Sequence, residues 1–275
     1  MKVYLSVDME GIAGISHSDP TALGDAGYPA AVQLMVGETN AAIDGAFAGG
    51  AREILVNDSH GFMHNLTPID IDPRAVLLQG QKPWSMVEGA GPAEGFDVAL
   101  FVGYHARAGH PTGTIAHTYS SAPVLSRLNG RPVGESGINA AVLGAWGVPV
   151  GLVSGDDMLA VEIAEWLPWA DRIIVKQAVS RRAAASVHPT VARARIRDGA
   201  ERAIQQAAAG AFQPLDVGSP VVIEVDYRSA GEADYAAIVP GAERYGDTGV
   251  RVQAADAIQA YRGFLAGVRL ASLVR

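Results

Sequence analysis

The chain has 275 residues, 49% of them hydrophobic and 18% charged, so it is long and apolar enough to bury a full-sized core. Acidic residues outnumber basic ones 29 to 21, and the resulting net charge of -8 leaves nucleic-acid and anionic-membrane partners without electrostatic support. The absence of cysteine excludes disulfides and thiolate ligands, which leaves His, Asp and Glu as the strong metal ligands.

The chain begins with a short apolar run, Val3 to Val7, that leads directly into the charged residues Asp8 and Glu10. This run is too short for the apolar region of a signal peptide and is typical of a first strand. No apolar run approaches the roughly 20 residues needed to cross a bilayer. We therefore expect a cytoplasmic protein without a membrane partner.

Apolar runs bounded by turn residues recur along the first two thirds of the chain and predict the strands of one sheet. These runs are Val3 to Val7, Glu53 to Val56, Val98 to Val102, Val148 to Val153 and Arg172 to Val175. The clearest helix is Tyr28 to Ala48, with Pro29 near its start and Gly49-Gly50 after its end. This alternation predicts an α/β fold with a mostly parallel sheet flanked by helices.

The pattern changes after His105. Two short strands are predicted at Thr114 to Tyr119 and Val124 to Leu128, and Asn129-Gly130 is a strong tight-turn signal, so a hairpin is expected at one edge of the crevice. Later elements are a helix at Thr190 to Ala211, a strand at Pro220 to Val225 and a helix at Ala254 to Leu270. We interpret residues 1–180 as an α/β metal-binding catalytic lobe and residues 181–275 as a smaller C-terminal α+β lobe.

Asp8 and Glu10 stand two residues apart at the end of the first predicted strand. On a strand such residues point to the same face about 6.7 Å apart. Two crowded carboxylates repel each other unless a cation or a proton intervenes. The pair therefore indicates a metal site, although a solvated strand end explains the same two residues.

Two histidines occupy equivalent positions after other predicted strands, His60 after Ile54 to Val56 and His105 after Leu100 to Gly103. Each histidine by itself is compatible with a hydrogen-bonded structural role. Because side chains at the carboxyl ends of neighbouring parallel strands converge on one crevice, the two together with Asp8 and Glu10 favour a metal site.

Glu135 lies between Gly134 and a helix expected to begin near Ser136. It is either a further metal ligand or a glutamate favoured in a first helical turn. Counting ligands supports two ions bridged by Asp8, with Glu10 and His105 on one ion and His60 and Glu135 on the other. Each ion would keep an open position for water.

His117 lies within Thr114 to Tyr119 and can face the crevice without binding metal. An unligated imidazole near the metals could deliver the proton that a leaving amine requires, although an ordinary strand histidine is also compatible. Glu135, Asp156 and Asp157 are candidates to receive the ammonium group of a substrate.

Several motifs together resemble the zinc D-aminopeptidase family of bacterial dipeptide-transport operons. The matching segments are Tyr4 to Gly11, Leu55 to His60, Lys82 to Gly89, Gly103 to Ala108, Arg131 to Glu135, Gly155 to Asp157 and Val175 to Gln177. The resemblance implies two Zn²⁺ per subunit, held by Asp8, Glu10, His60, His105 and Glu135 in the pairing given above. It also implies that His117 is the catalytic residue, described in the family as a nucleophile, and that the chain forms a large homo-oligomer, a decamer.

The sequence thus predicts a metal-dependent aminopeptidase that removes N-terminal residues from short peptides, with the resemblance implying D-amino acids. One alternative is a dinuclear metal phosphoesterase, since two bridged ions also suit phosphoryl displacement. The lack of a Gly-rich phosphate loop and of an Arg/Lys cluster beyond Arg107 counts against it. The other alternative is a non-catalytic peptide-binding protein of the same fold.

Overall fold

The computed structural model describes residues 1–274, which form two sheets and six α-helices. The strands are β1 (Lys2–Val7), β2 (Glu53–Asp58), β3 (Val76–Leu78), β4 (Val98–Val102), β5 (Pro123–Leu128), β6 (Arg131–Pro132), β7 (Val150–Asp156), β8 (Asp171–Ser180), β9 (Ala183–Ser186), β10 (Val221–Tyr227), β11 (Ala242–Tyr245) and β12 (Gly249–Ala254). The helices are α1 (Tyr28–Ala48), α2 (Glu135–Ala145), α3 (Asp157–Trp166), α4 (Pro189–Ala208), α5 (Ala230–Ala236) and α6 (Ala257–Ala271).

The larger sheet has seven strands in the order β3-β2-β1-β4-β7-β8-β9, and every pair is parallel except β8 with β9. Because successive side chains of a strand point to opposite faces, β1 serves two cores. Val3 and Leu5 pack in the core that also contains residues of α1 and α4, whereas Tyr4 packs in the core on the other face. Helices therefore cover the first face of this sheet, as expected for an α/β fold.

The smaller sheet is antiparallel, with five strands in the order β11-β12-β10-β5-β6. Its apolar residues share a core with α2, α6 and the second face of the larger sheet, as Val225, Ile138, Phe264 and Phe101 illustrate. This arrangement places α6 beside the loops that follow the strands of the larger sheet.

The α/β fold with a mostly parallel sheet is confirmed, and α1 has the predicted bounds. The predicted strand at Thr114 to Tyr119 is wrong, because this segment is a loop in which Ile115 and Tyr119 have positive φ angles of 54° and 60°. Only Thr118 and Ser120 form a bridge there. The predicted hairpin is the β5–β6 pair, which turns at Asn129 and Gly130.

The division into two lobes at residue 180 stays a prediction. Two sets of contacts cross that position, since α4 packs against α1 and β5 pairs with β10. Within residues 1–274, no helix is both long and apolar enough to cross a membrane.

Candidate metal centre

Three adjacent strands deliver four of the predicted ligands, Asp8, Glu10, His60 and His105, to one place, and Glu135 comes from the start of α2. Val7, the last residue of β1, pairs with Asp58 of β2 on one side and with Val102 of β4 on the other. The loop segments that follow these strands therefore leave the sheet side by side. Their loops touch directly, because the Gly11 amide donates to the Gly103 carbonyl over 2.7 Å.

All five predicted ligands are brought together and buried, with exposed fractions of 2 to 7%. These residues are Asp8, Glu10, His60, His105 and Glu135. Four of them, Asp8, Glu10, His60 and Glu135, line with His117 a cavity of about 120 Å³, which we call the inner cavity, and His105 contacts Asp8 and Glu135 from behind it. The tertiary fold thus gathers side chains that are up to 127 positions apart in the sequence.

Each of the three histidines binds a backbone carbonyl with one ring nitrogen and turns the other toward the carboxylates. Nε2 of His60 lies 2.9 Å from the Thr21 carbonyl oxygen, so Nδ1 faces the site. Nδ1 of His105 lies 3.0 Å from the Ala106 carbonyl oxygen and leaves Nε2 facing the site. A hydrogen bond of this kind fixes the tautomer of a metal-binding histidine.

His117 has the same arrangement, because its Nδ1 lies 2.9 Å from the Ile115 carbonyl oxygen. Its Nε2 is 3.7 Å from Oε1 of Glu135 and 4.0 Å from Oε1 of Glu10. The side chain is 22% exposed, more than either His60 or His105. His117 therefore faces both the carboxylates and the open part of the inner cavity.

The carboxylate of Asp8 lies between two histidines. Its Oδ1 is 3.2 Å from His60 Nδ1, and its Oδ2 is 3.4 Å from His105 Nε2. His60 Nδ1 is also 2.9 Å from Oε2 of Glu10, and His105 Nε2 is 3.4 Å from Oε2 of Glu135. Asp8 is the one carboxylate that contacts both histidines, which is the geometry a bridging ligand needs.

The close packing of these groups shifts their pKa values. Burial and, after it, the neighbouring charge of Glu10 raise the pKa of Asp8 to about 8, although His60 and His105 oppose the shift. Burial lowers the pKa of His105, but Glu135 and Asp8 outweigh it and bring the value to about 10. The pKa of His117 is lowered, first by burial and then by the adjacent His105. His117 is therefore the histidine that favours the neutral form.

A zinc ion fits this set of donors. His105 Nε2 is buried and has no hydrogen-bond partner, which suits a nitrogen meant for a cation. Asp8, Glu10 and His105 offer ligand atoms within 4.8 Å of one another, and so do His105, His117 and Glu135. Imidazole nitrogens and carboxylate oxygens are the ligands that zinc takes in the absence of cysteine.

The two interpretations of Glu135 are compatible, and its role as a metal ligand stays a prediction. It is the first residue of α2, where a carboxylate is favoured, and its Oε1 accepts a hydrogen bond from the Tyr119 amide at the inner cavity. The suggestion that Asp156 or Asp157 receives the substrate ammonium group stays a prediction, and neither residue lines the inner cavity. Asp156 accepts from the amides of Thr114 and Leu159, and Asp157 accepts through Oδ1 from that of Ala178, so backbone amides already bind both carboxylates.

Sequence reasoning missed a buried glutamate that connects two ligand loops. Glu162 of α3 accepts from the Arg107 amide through Oε2 at 3.0 Å and from the Gly134 amide through Oε1 at 2.7 Å. Arg107 follows His105 by two positions, and Gly134 precedes Glu135. A charged residue at an apolar-face position of α3 was the available signal, but α3 itself was not among the predicted elements.

Comparisons with known proteins show the family of this chain. The peptidase M55 family, described as D-aminopeptidase, matches residues 1–266. A D-aminopeptidase of Bacillus subtilis (strain 168) is 39% identical over 273 residues, which cover 98% of this chain and 98% of that protein. A solved structure from Bacillus subtilis has a TM-score of 0.94 at 38% identity, covering 99% of this chain and 98% of the other. It is described as the Zn-dependent D-aminopeptidase DppA, a self-compartmentalizing protease.

Proposed function

The chain belongs to the M55 family of D-aminopeptidases, and from this premise we propose that it removes N-terminal D-amino acids from short peptides with two zinc ions per subunit. Family membership makes it a zinc-dependent hydrolase of peptide bonds. The number of ions, the ligand residues and the handedness of the substrate are the parts that we propose.

The observation that carries the proposal is the shared orientation of His60, His105 and His117. Each gives one nitrogen to a backbone carbonyl and directs the other to a group of three buried carboxylates. Buried carboxylates repel one another, so this grouping is costly without positive charge. Four charges from two zinc ions would offset the three from Asp8, Glu10 and Glu135.

We assign the five ligands as the sequence suggested, with Asp8 bridging, Glu10 and His105 on one ion, and His60 and Glu135 on the other. The separation of the two Asp8 oxygens, each toward a different histidine, supports the bridging role. Bound zinc supplies Lewis-acid polarisation of a carbonyl and activation of water. The protein residues would fix the positions of the attacking water and of the substrate carbonyl.

His117 is the proposed proton-transfer residue. Its Nδ1–H is held by the Ile115 carbonyl, so its Nε2 is available to accept a proton at the inner cavity. A lowered pKa keeps this nitrogen unprotonated at neutral pH, as a general base requires. This nitrogen would take a proton from the attacking water and deliver it to the amine nitrogen as the C–N bond breaks. The inner cavity of about 120 Å³ suits a small N-terminal residue such as alanine.

The decisive experiment is an assay of zinc-reconstituted protein against matched D- and L-alanyl dipeptides, together with measurement of bound zinc. We expect two zinc ions per chain and turnover of the D series. Turnover of the L series alone would reject the D-specific assignment while leaving the zinc mechanism. If the protein bound stoichiometric zinc but hydrolysed neither series, the aminopeptidase proposal would be rejected in favour of a non-catalytic peptide-binding protein.

The ligand set is tested by removing single carboxylates. The Asp8→Asn protein should lose both zinc ions, because the substitution removes the carboxylate that is proposed to bridge them. The Glu10→Gln protein should retain one ion. Glu88→Gln serves as a control, since Glu88 does not line the inner cavity. Two ions retained in the Asp8→Asn protein would contradict the bridging assignment.

We also propose that the chain assembles as a homodecamer. The Bacillus subtilis structure is described as self-compartmentalizing, which requires several subunits to enclose a space. Large apolar side chains such as Ile69, Val179 and Ile238 are 67 to 94% exposed and could be covered by neighbouring subunits. A decamer of 28.6 kDa chains would have a mass of about 290 kDa in analytical ultracentrifugation. A monomeric mass would contradict the assembly.

A further inference from the structure

A larger cavity continues outward from the inner cavity. It measures about 760 Å³ and shares Gly61, Met63, Ser85 and Tyr119 with the inner cavity. Most of its remaining walls come from residues 81–83 and from five residues around the end of α6, namely Leu265, Val268, Arg269, Ser272 and Leu273. We call it the outer groove. A peptide whose first residue occupies the inner cavity would extend its remaining residues into this groove.

The charges that line the outer groove are all positive. Lys82 and Arg269 are its charged residues, and no Asp or Glu lines it. This distribution is unusual for a chain with a net charge of -8. The inner cavity has the opposite character, because Asp8, Glu10 and Glu135 line it. The two connected spaces therefore form an anionic inner end and a cationic outer end.

Neither cation forms a salt bridge with a carboxylate in the part of the chain that the structure describes, although the charges of Asp58 and Glu88 act on Lys82 from farther away. Lys82 donates to the Asp58 carbonyl over 2.7 Å, and Arg269 donates through Nη2 to the Lys82 carbonyl over 3.0 Å. Within residues 1–274, no Asp or Glu side chain lies within 4.0 Å of the charged nitrogens of either residue. Lys82 is only 7% exposed, so its ammonium group is held at the groove with two N–H donors left over.

The contact between the two residues gives them a common position. The Arg269 guanidinium binds the backbone of Lys82, so the segment after β3 and the end of α6 present their cations to the same groove. A guanidinium offers parallel N–H groups that match the two oxygens of a carboxylate. A partly buried groove also strengthens such an ion pair relative to one in open solvent.

We propose that Arg269 and Lys82 bind the free C-terminal carboxylate of the peptide substrate in the outer groove. The substrate class is therefore short peptides with an unblocked C-terminus. This inference rests on the proposed aminopeptidase function and adds recognition of the second end of the substrate. Arg269 contributes most of the recognition because its side chain is exposed at the groove, whereas that of Lys82 is buried.

The test compares D-alanyl-D-alanine with its C-terminal amide, which differs from it by one negative charge. For the zinc-loaded wild-type protein, kcat/KM for the free acid should exceed that for the amide by about tenfold or more, as expected for a charged hydrogen bond. In Arg269→Gln the ratio of acid to amide should fall toward one, mainly through KM of the acid. Arg269→Lys keeps the charge without the paired donors and should give an intermediate ratio.

The matched control is Arg262→Gln, on the same helix and two turns earlier. Arg262 lies over the Trp84 ring, 5.6 Å from its centroid, and does not line the outer groove. Its acid-to-amide ratio should match that of the wild type. A second readout is calorimetric binding of the acid and the amide to His117→Ala protein, where the acid should bind about tenfold more tightly and Arg269→Gln should remove the difference.

The outcomes separate this inference from the proposed function. Equal rates on acid and amide by the wild-type protein, or an unchanged ratio in Arg269→Gln, would overturn carboxylate recognition and leave the aminopeptidase intact. If the zinc-loaded protein hydrolysed neither the acid, nor the amide, nor any other D- or L-aminoacyl peptide, the proposed function itself would be overturned. Loss of the ratio in Arg262→Gln as well would assign the effect to α6 as a whole and reject Arg269 as the binding residue.

Discussion

The imidazole rings of His105 and His117 are stacked, with ring centroids 4.0 Å apart and an angle of 13° between their planes. Both rings turn Nε2 toward Glu135, His105 at 3.4 Å and His117 at 3.7 Å. The buried ring of His105 lies deeper, and the ring of His117 covers it on the cavity side. This stacking brings His117, the proposed proton-transfer residue, next to the proposed metal ligands. His117 can hold this position without binding metal itself.

Replacing His117 with alanine should separate catalysis from metal binding. We expect kcat to fall by about a hundredfold or more, because a general base contributes on that order. Bound zinc should remain at the wild-type level. His110→Ala is the matched control, since His110 Nδ1 only accepts from the Thr112 and Gly113 amides in its own loop. Loss of zinc from the His117→Ala protein would show that His117 is a ligand.

Removing zinc should destabilise the folded chain. Without cations, Asp8, Glu10 and Glu135 remain buried around one small cavity, where their negative charges repel. At free zinc a thousandfold above its dissociation constant, bound metal adds about 4 kcal/mol to the free energy of unfolding for one site. Differential scanning calorimetry should therefore give a lower Tm after chelation and recovery after zinc is restored. An unchanged Tm would show that zinc does not bind this state.

Glu162 should increase zinc affinity indirectly, because it holds the loops that carry His105 and Glu135. Glu162→Ala leaves the amides of Arg107 and Gly134 without their acceptor, which should cost about 2 to 4 kcal/mol of unfolding free energy. Glu162→Gln keeps one acceptor oxygen and should be milder. Zinc affinity, measured by competition with a fluorescent chelator, should fall about tenfold to a hundredfold. Glu165→Gln, on an exposed position of the same helix, should change neither quantity.

Glu38 should make stability depend on pH. Burial raises the pKa of its carboxyl from 4.5 to about 7, although the Ala13 amide and the charges of Lys176 and Arg193 oppose the shift. The folded state therefore holds a proton that the unfolded state has released, and stability falls as pH rises from about 4.5 to 7.

Glu38→Gln should remove this part of the pH dependence. Urea unfolding at pH 8 should show the variant to be more stable than the wild type by up to about 3 kcal/mol, and near pH 4.5 the two should converge. If the difference in unfolding free energy between Glu38→Gln and the wild type were the same at both pH values, the raised pKa would be contradicted. Glu53→Gln, at an exposed position, controls for the substitution itself.

Gly11 should not tolerate a side chain. A Cβ at this position would overlap the carbonyl oxygen of Tyr104, where the loops after β1 and β4 meet. Gly11→Ala should lower the free energy of unfolding by about 1 to 3 kcal/mol and reduce zinc content, because the loops carry Asp8, Glu10 and His105. Gly91→Ala is the control, since no atom lies within 4 Å of a Cβ there. Equal Tm values for the two variants would contradict the close approach.

Local patterns in the sequence predicted much of the larger sheet. The apolar runs that became β1, β2 and β4 are bounded by turn residues, and α1 is bounded by Pro29 and a glycine pair, so neighbouring residues carry the signal. The smaller sheet was harder to predict. Its strand β5 pairs with β10, about a hundred positions later, and no local pattern encodes such a partner.

The sequence by itself determined which residues follow the strands, and therefore that Asp8, Glu10, His60 and His105 would meet at the carboxyl edge of a parallel sheet. Only the tertiary structure decided which nitrogen of each histidine faces the site. That choice depends on the carbonyls of Thr21, Ala106 and Ile115, whose positions are set by loop conformation. The cationic outer groove was likewise decided by packing, because α6 brings Arg269 against Lys82 across 187 positions of the chain.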